Sequence, residues 1–297
     1  MPNVTANGIQ IEYDTFGDSS FPALLLIAGN GAQMLVWDAE FCELLAGTGL
    51  FVIRFDNRDA GLSTKFDEAG IPDMMATIKA AMEGRTVQSP YSLDDMADDS
   101  VGLLGALGIE KAHICGASMG GMIAQVISYR HPQRVLSLTS IMSTTGNPGL
   151  PVGKPDAIAA VVAPAPEERE AYVEHYVNTW RKIWSPGFPF EEDRVRTFMG
   201  KSYDRSHYPQ GMARQNTAII ASGDRRPSLS TVKVPTLVIH GADDPLIPVE
   251  GGKDTARVIP GASLLIINGM GHDMPKGVWA EIVTAISRYS KQANAWN

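Results

Sequence analysis

The chain has 297 residues, 44% of them apolar, which is enough to bury a sizeable core. Its net charge of −8 argues against nucleic acid or an anionic membrane surface as the main partner. No apolar stretch is long enough to span a bilayer, and the start MPNVTANGIQIEYDTFGD lacks a basic segment followed by an apolar run, so a cytoplasmic protein without a membrane partner is expected.

Residues 9–13 (IQIEY) alternate apolar and polar side chains, as a half-buried strand does. The run 23–27 (ALLLI) is continuously apolar, as in a strand covered on both faces. Runs at 51–55, 112–115, 135–141, 236–239 and 263–267 read the same way. Helical periods fill the gaps at 37–45, 92–107, 122–129, 249–258 and 278–289, and an irregular piece, 65–90, holds a short helix candidate at 74–82. This alternation predicts an α/β fold with a mostly parallel sheet of about eight strands and helices on both faces. The alternation breaks between about 145 and 225, where no strand appears. Five prolines (Pro148, Pro151, Pro155, Pro164 and Pro166) punctuate the entry, and an Ala/Pro-rich tract covers 157–166. Helical stretches follow near 167–184, 190–203 and 210–222. The chain thus divides into a core, 1–144 and 226–297, and a helical insertion, 145–225. Cys42 and Cys115 sit in apolar surroundings and are expected to be buried free thiols. No Cys/His spacing suggests a metal site.

Ser118 stands in 114–121 (ICGASMGG), at the joint between a predicted strand and a predicted helix. Such a turn strains its central residue and needs small neighbours two positions away; Gly116 and Gly120 meet that need. The turn lifts Ser118 Oγ to the carboxyl edge of the sheet, where open α/β sheets bind ligands. The Met119 N–H, at the start of the new helix, faces the same space and stabilises negative charge there. Ser118 is therefore a candidate nucleophile with half an oxyanion hole beside it. The plainer alternative is a small residue in a Gly-rich turn.

A serine hydroxyl needs a base, and the base needs an orienting acid. Of six histidines, His272 lies in NGMGH, the loop after the last predicted strand, at the same edge as Ser118. His113 lies within a strand, His131 at a helix end, His175 and His207 in the insertion, and His240 at a strand end. The loop HGADDPLIP offers two acids, Asp243 and Asp244, whereas the loop after 135–141 (STTGN) offers none. Pro245 biases Asp244 towards extended backbone, which suits a residue leaving a strand, but residue type alone leaves both acids open.

The order Ser118, Asp243 or Asp244, His272 is that of the α/β-hydrolase fold, and nearly the whole chain resembles that superfamily in its branch with a helical cap. LLLIAGNGAQMLVW resembles the oxyanion loop, and NGMGHDMP the histidine loop. RFDNRDAGLS resembles a D-x-R-G-x-G-x-S segment, with Asp59 where that pattern has Gly. HGADDPLIP resembles the acid loop, whose acid lies three after the Gly and four before the Pro; that spacing selects Asp244. The resemblance also implies the backbone N–H of Asn30 as the second oxyanion donor beside Met119. Many relatives read His-Gly where this chain reads Ala28-Gly29.

Within the superfamily the chain is similar to bacterial carboxylesterases of the aclacinomycin methylesterase type. That resemblance implies a serine hydrolase that cleaves a small-molecule ester through an acyl-enzyme, with no cofactor and no metal. Relatives that dehalogenate or open epoxides carry Asp where this chain has Ser118. Thioester, lactone or amide hydrolysis, carbon–carbon bond hydrolysis and cofactor-free perhydrolysis share the machinery, and a ligand-binding receptor can keep the fold. Turnover of simple acyl esters separates the enzyme from the receptor. The substrate pocket is expected among Met34, Trp180, Trp184 and Met270, favouring small to medium, mostly apolar substrates. The sequence carries no signal of oligomeric state.

Overall fold

The computed structural model describes residues 2–294. In chain order it runs β1 (Asn3–Ala6), β2 (Ile9–Phe16), β3 (Ala23–Ile27), α1 (Ala39–Ala46), β4 (Phe51–Phe55), α2 (Met74–Met82), α3 (Leu93–Ala106) and β5 (Ala112–Ala117). Then come α4 (Met119–Arg130), β6 (Val135–Ile141), α5 (Pro155–Val162), α6 (Arg169–Ile183), α7 (Glu192–Arg205), α8 (Gln210–Ser222) and α9 (Arg226–Leu229). The chain closes with β7 (Thr236–Gly241), α10 (Glu250–Val258), β8 (Ser263–Ile267) and α11 (Lys276–Asn294). One sheet holds all eight strands in the order β1-β2-β4-β3-β5-β6-β7-β8. β2 is antiparallel to β1 and β4, and every other pairing is parallel.

The continuous apolar runs are explained by helices on both faces. Along β3, Leu25 and Ile27 enter a core with Leu103 of α3 and Ile123 and Ile127 of α4. Leu24 and Leu26 point the other way, into a core with Phe41 and Leu45 of α1 and Ile282 and Ile286 of α11. Each such Leu or Ile contributes about 1.5–3 kcal/mol by leaving water. α3 starts on a reciprocal cap: the Ser92 hydroxyl accepts from Asp95 N, and the Asp95 carboxylate accepts from Ser92 N.

Three elements depart from expectation. β1 is too short and polar to stand out in sequence, and it exists by pairing along β2. β8 reads like a strand covered on both faces, yet it is the sheet edge, with Leu264 and Ile266 exposed. The Ala/Pro-rich tract begins with a true helix, α5, in which Pro155 occupies the first turn, where its missing N–H costs nothing. Between β6 and β7 the described chain is helical and contains no strand. There α6 and α7 share a small core of Val173, Val177, Trp184, Val195 and Met199. Both cysteines are buried and free, and burial pushes the Cys42 thiol up to about 12. Among the described residues no helix is long and apolar enough to cross a membrane.

The parallel registers set Ile27 beside Gly116, Ala117 beside Ile141, and Gly241 beside Ile267. The loops after β3, β5, β7 and β8 therefore open at one carboxyl edge.

Candidate active site

Ser118 sits between β5 and α4 with φ 57° and ψ −120°, the strained geometry expected of the turn. The crossing leaves no room for side chains at the flanking glycines. A Cβ on Gly116 lies 2.0 Å from Gly120 O, and one on Gly120 lies 2.1 Å from Ile27 O. The strain is held by neighbours: Ser118 N donates to Ile141 O at 2.9 Å, and Ser143 Oγ donates to Ser118 O at 2.8 Å. α4 begins at Met119, three residues earlier than its apolar period suggests, because the elbow passes directly into the helix.

His272 reaches this serine from the loop after β8. Its Nδ1 lies 2.8 Å from Asp244 Oδ2, and its Nε2 lies 3.1 Å from Ser118 Oγ. An ionised carboxylate only accepts, so Nδ1 carries the proton and Nε2 accepts from the serine hydroxyl. Asp244 is fixed in turn: its Oδ1 accepts from Leu246 N and Ile247 N, both at 2.9 Å. His240 Nε2 donates to Ile247 O at 2.8 Å and stands 3.4 Å from Asp244 Oδ2. Burial opposes ionisation of Asp244, but the charge that His272 carries when protonated and the hydrogen bonds of both histidines prevail and hold it well below the usual carboxylate range. Asp243 does different work: its Oδ2 accepts from Gly269 N at 2.9 Å and its N–H donates to Met270 O at 3.0 Å, tying the acid loop to the histidine loop.

The histidine loop is also stitched to the end of α6. His272 N donates to Ile183 O at 2.9 Å, and Gly271 N donates to Ser185 Oγ at 2.8 Å. Gly271 is needed for that passage, since a Cβ there lies 2.7 Å from the carbonyl oxygens of both Ile183 and Trp184.

Asn30 lies in the loop after β3 and lines one cavity with Ser118 and His272. Where relatives place a histidine, other groups anchor this loop. Asn57 Nδ2 donates to Ala28 O at 3.0 Å, and Gly31 N donates to Gln215 Oε1 at 2.7 Å. Asn30 Nδ2 donates to Asn216 Oδ1 at 2.7 Å. Sequence reasoning missed Asn57, Gln215 and Asn216, because their partners are distant in the chain.

The cavity measures about 470 Å³ and is walled by the carboxyl-edge loops and by α6, α7 and α8. Of the four expected pocket residues, Trp180 lies on its wall. Met34, Trp184 and Met270 are not among its wall residues. Met34 is fully buried, with its N–H donating to Asp56 Oδ1 at 2.8 Å. Met270 is packed in the core with α11. Trp184 turns into the small core shared by α6 and α7, edge-on to Phe190, and donates its Nε1–H to Pro189 O at 3.2 Å. Asp273, next to His272, also stands on the wall and was not singled out by sequence; its only signal there is an acid directly after the histidine of NGMGHDMP.

Comparison with known proteins agrees with this architecture. The sequence model of the alpha/beta hydrolase fold family matches residues 22–275. The chain is 29% identical to rhodomycin D methylesterase of Streptomyces sp. (strain C5), covering 98% of both chains. It is 27% identical to 3-oxoadipate enol-lactonase 2 of Acinetobacter baylyi, over 89% of this chain and 87% of that one. Among solved structures, the meta-cleavage product hydrolase of Pseudomonas fluorescens IP01 superposes with a TM-score of 0.77 at 19% identity, covering 99% of this chain and 98% of that one. At that identity the likeness is one of fold. The resemblance to bacterial methylesterases read from the sequence is borne out by the first of these relatives. The chain belongs to the alpha/beta hydrolase fold family.

Proposed function

We propose that the chain is a serine hydrolase acting in the cytoplasm on carboxylic esters of small to medium, mostly apolar molecules. The observation that supports this most is the unbroken run of contacts Ser118 Oγ, His272 Nε2, His272 Nδ1, Asp244 Oδ2 beside a cavity. Ser118 Oγ attacks the ester carbonyl while His272 Nε2 takes its proton. The N–H groups of Met119 and Asn30 hold the oxyanion that forms. His272⁺, steadied by Asp244, then protonates the leaving alcohol. Water attacks the acyl-enzyme by the same steps in reverse roles and frees Ser118. Residues 145–225 act as the cap, and Trp180, Phe198 and Met199 present apolar surface to the substrate. The methylesterase relative, matched over 98% of its length, lends this reading further support.

The test is turnover of p-nitrophenyl esters of graded acyl length, with lactone, amide and peracid assays beside them. Ser118→Ala is expected to lower ester turnover by a factor on the order of 10⁶. A serine-directed phosphonate is expected to label Ser118, read by peptide mass spectrometry. Near-normal turnover by the purified variant, or labelling elsewhere, overturns the assignment.

A further inference from the structure

Asp273 occupies an unusual place in the cavity. It follows His272 directly, lies on the cavity wall and is only 3% exposed. One of its oxygens is accounted for: Oδ1 accepts from Ser185 Oγ at 2.6 Å. The other, Oδ2, is buried and has no hydrogen-bond partner among the described residues. Arg194 lines the same cavity but pairs with Glu191 and makes no ion pair with Asp273. Ile183, Trp180, Phe198, Met274 and Trp279 give the same cavity an apolar wall. Burial pushes the Asp273 carboxyl up to about 7, against the Ser185 hydroxyl and amide and the charges of His272 and Arg194.

A buried carboxylate oxygen without a donor costs free energy, and an all-apolar ligand filling the cavity leaves that cost in place. A ligand that brings its own O–H or N–H removes it. Asp244 offers no such opening, because both of its oxygens are already engaged by the chain.

We propose that Asp273 is a specificity residue whose Oδ2 receives a hydrogen bond from the substrate, so that the preferred ester is apolar except for one hydroxyl or ammonium group. The proposal rests on the ester-hydrolase reading of the same cavity.

The probes are p-nitrophenyl 3-phenylpropanoates carrying a methyl, hydroxyl or aminomethyl group at each ring position in turn. The quantity read is the ratio of kcat/KM for the polar ester to that for its methyl counterpart. In the wild type, assayed at about pH 8 where the Asp273 carboxyl is ionised, at least one hydroxyl or aminomethyl isomer is expected to exceed its methyl counterpart on the order of tenfold, the size of a hydrogen bond to a charged group. Asp273→Leu is expected to abolish or invert that ratio. Asp273→Asn, nearly isosteric and able to accept a hydrogen bond, is expected to keep a hydroxyl preference and lose an ammonium preference; this separates the two donors.

Ratios that are equal in wild type and Asp273→Leu overturn the proposal. So does a uniform loss across all esters, which is the mark of a residue that only braces Ser185. If the wild type hydrolyses none of these esters, the ester-hydrolase reading fails instead. The same ratios are then read from calorimetric binding of the same compounds to Ser118→Ala, where turnover plays no part. A polar preference lost with a second change, Asp273→Leu, upholds the role of Asp273, and its absence overturns that role.

Discussion

Asp59 and Arg214 meet as a two-pronged ion pair, Nε to Oδ2 at 2.8 Å and Nη2 to Oδ1 at 2.9 Å, with side chains 0% and 1% exposed. Asp59 has φ 64°, a conformation that favours glycine, and glycine is what the resembled segment carries there. This chain accepts the backbone strain and gains a carboxylate that also receives Tyr91 Oη and Phe66 N, both at 2.8 Å. Arg214 lies on α8 immediately before Gln215 and Asn216, which hold the loop around Asn30. The pair therefore pins α8 where it can brace that loop.

Arg214→Ala leaves the buried carboxylate unpaired and is expected to cost about 3–5 kcal/mol. Replacing both partners, Asp59→Gly with Arg214→Met, removes both charges and relieves the strained φ. Part of the lost stability is expected to return, the remainder being withheld because Tyr91 Oη and Phe66 N lose their acceptor. Calorimetric melting of the two variants checks this. A double variant no more stable than Arg214→Ala contradicts the account.

The two neighbouring acids are expected to separate cleanly. Asp244→Asn removes the charge that fixes His272 and is expected to lower turnover on the order of 10⁴-fold with the fold retained. Asp243→Asn keeps an oxygen that can accept from Gly269 N, so most activity is expected to remain. Ester kinetics with circular dichroism on both variants decides; the reverse ranking moves the acid to Asp243.

Much of this was legible from local pattern. The strands from β2 to β8 announce themselves because helices bury both faces of most of them, which makes apolar runs unavoidable. The elbow at Ser118 is legible because a close crossing admits only glycine on either side. What escaped is set by distance. Whether Trp180 or Trp184 faces the cavity depends on how α6 ends, and there the chain turns to pass beneath the histidine loop. Nor does local pattern explain Gly271 of the histidine loop, which lets the Ile183–Trp184 backbone pass. Asp59 was legible only as a departure from pattern, because its partner is 155 residues away.

The two tryptophans of α6 and its end yield a paired prediction. Trp180 is on the cavity wall, so Trp180→Ala is expected to shift acyl-length preference towards longer chains. Trp184 packs in the core shared by α6 and α7, so Trp184→Ala is expected to cost about 3–5 kcal/mol of stability with a smaller change in preference. A graded ester panel with melting curves checks both, and an unchanged profile for Trp180→Ala removes it from the pocket.

The acids on either side of His272 are shifted in opposite directions, and stability should register both. Asp244 is held below its ordinary range, since the histidines outweigh its burial. A carboxylate lowered on folding stabilises the fold above its unfolded pKa, about 3.9, and that contribution fades as pH falls towards the folded value. Asp273 is raised by burial to about 7, so the sign reverses. The unfolded chain loses this proton first, and the fold is penalised progressively from about pH 4 to about pH 7, after which the penalty is constant. Melting temperatures from about pH 3 to about pH 9 should therefore diverge for the two variants. The deficit of Asp244→Asn relative to wild type is largest above about pH 4 and shrinks in acid. Asp273→Asn gains on wild type between about pH 4 and about pH 7 and then runs parallel to it. A pH-independent offset for Asp273→Asn means that its carboxyl titrates alike in the folded and unfolded chain, and the desolvation inferred for its free oxygen is then wrong.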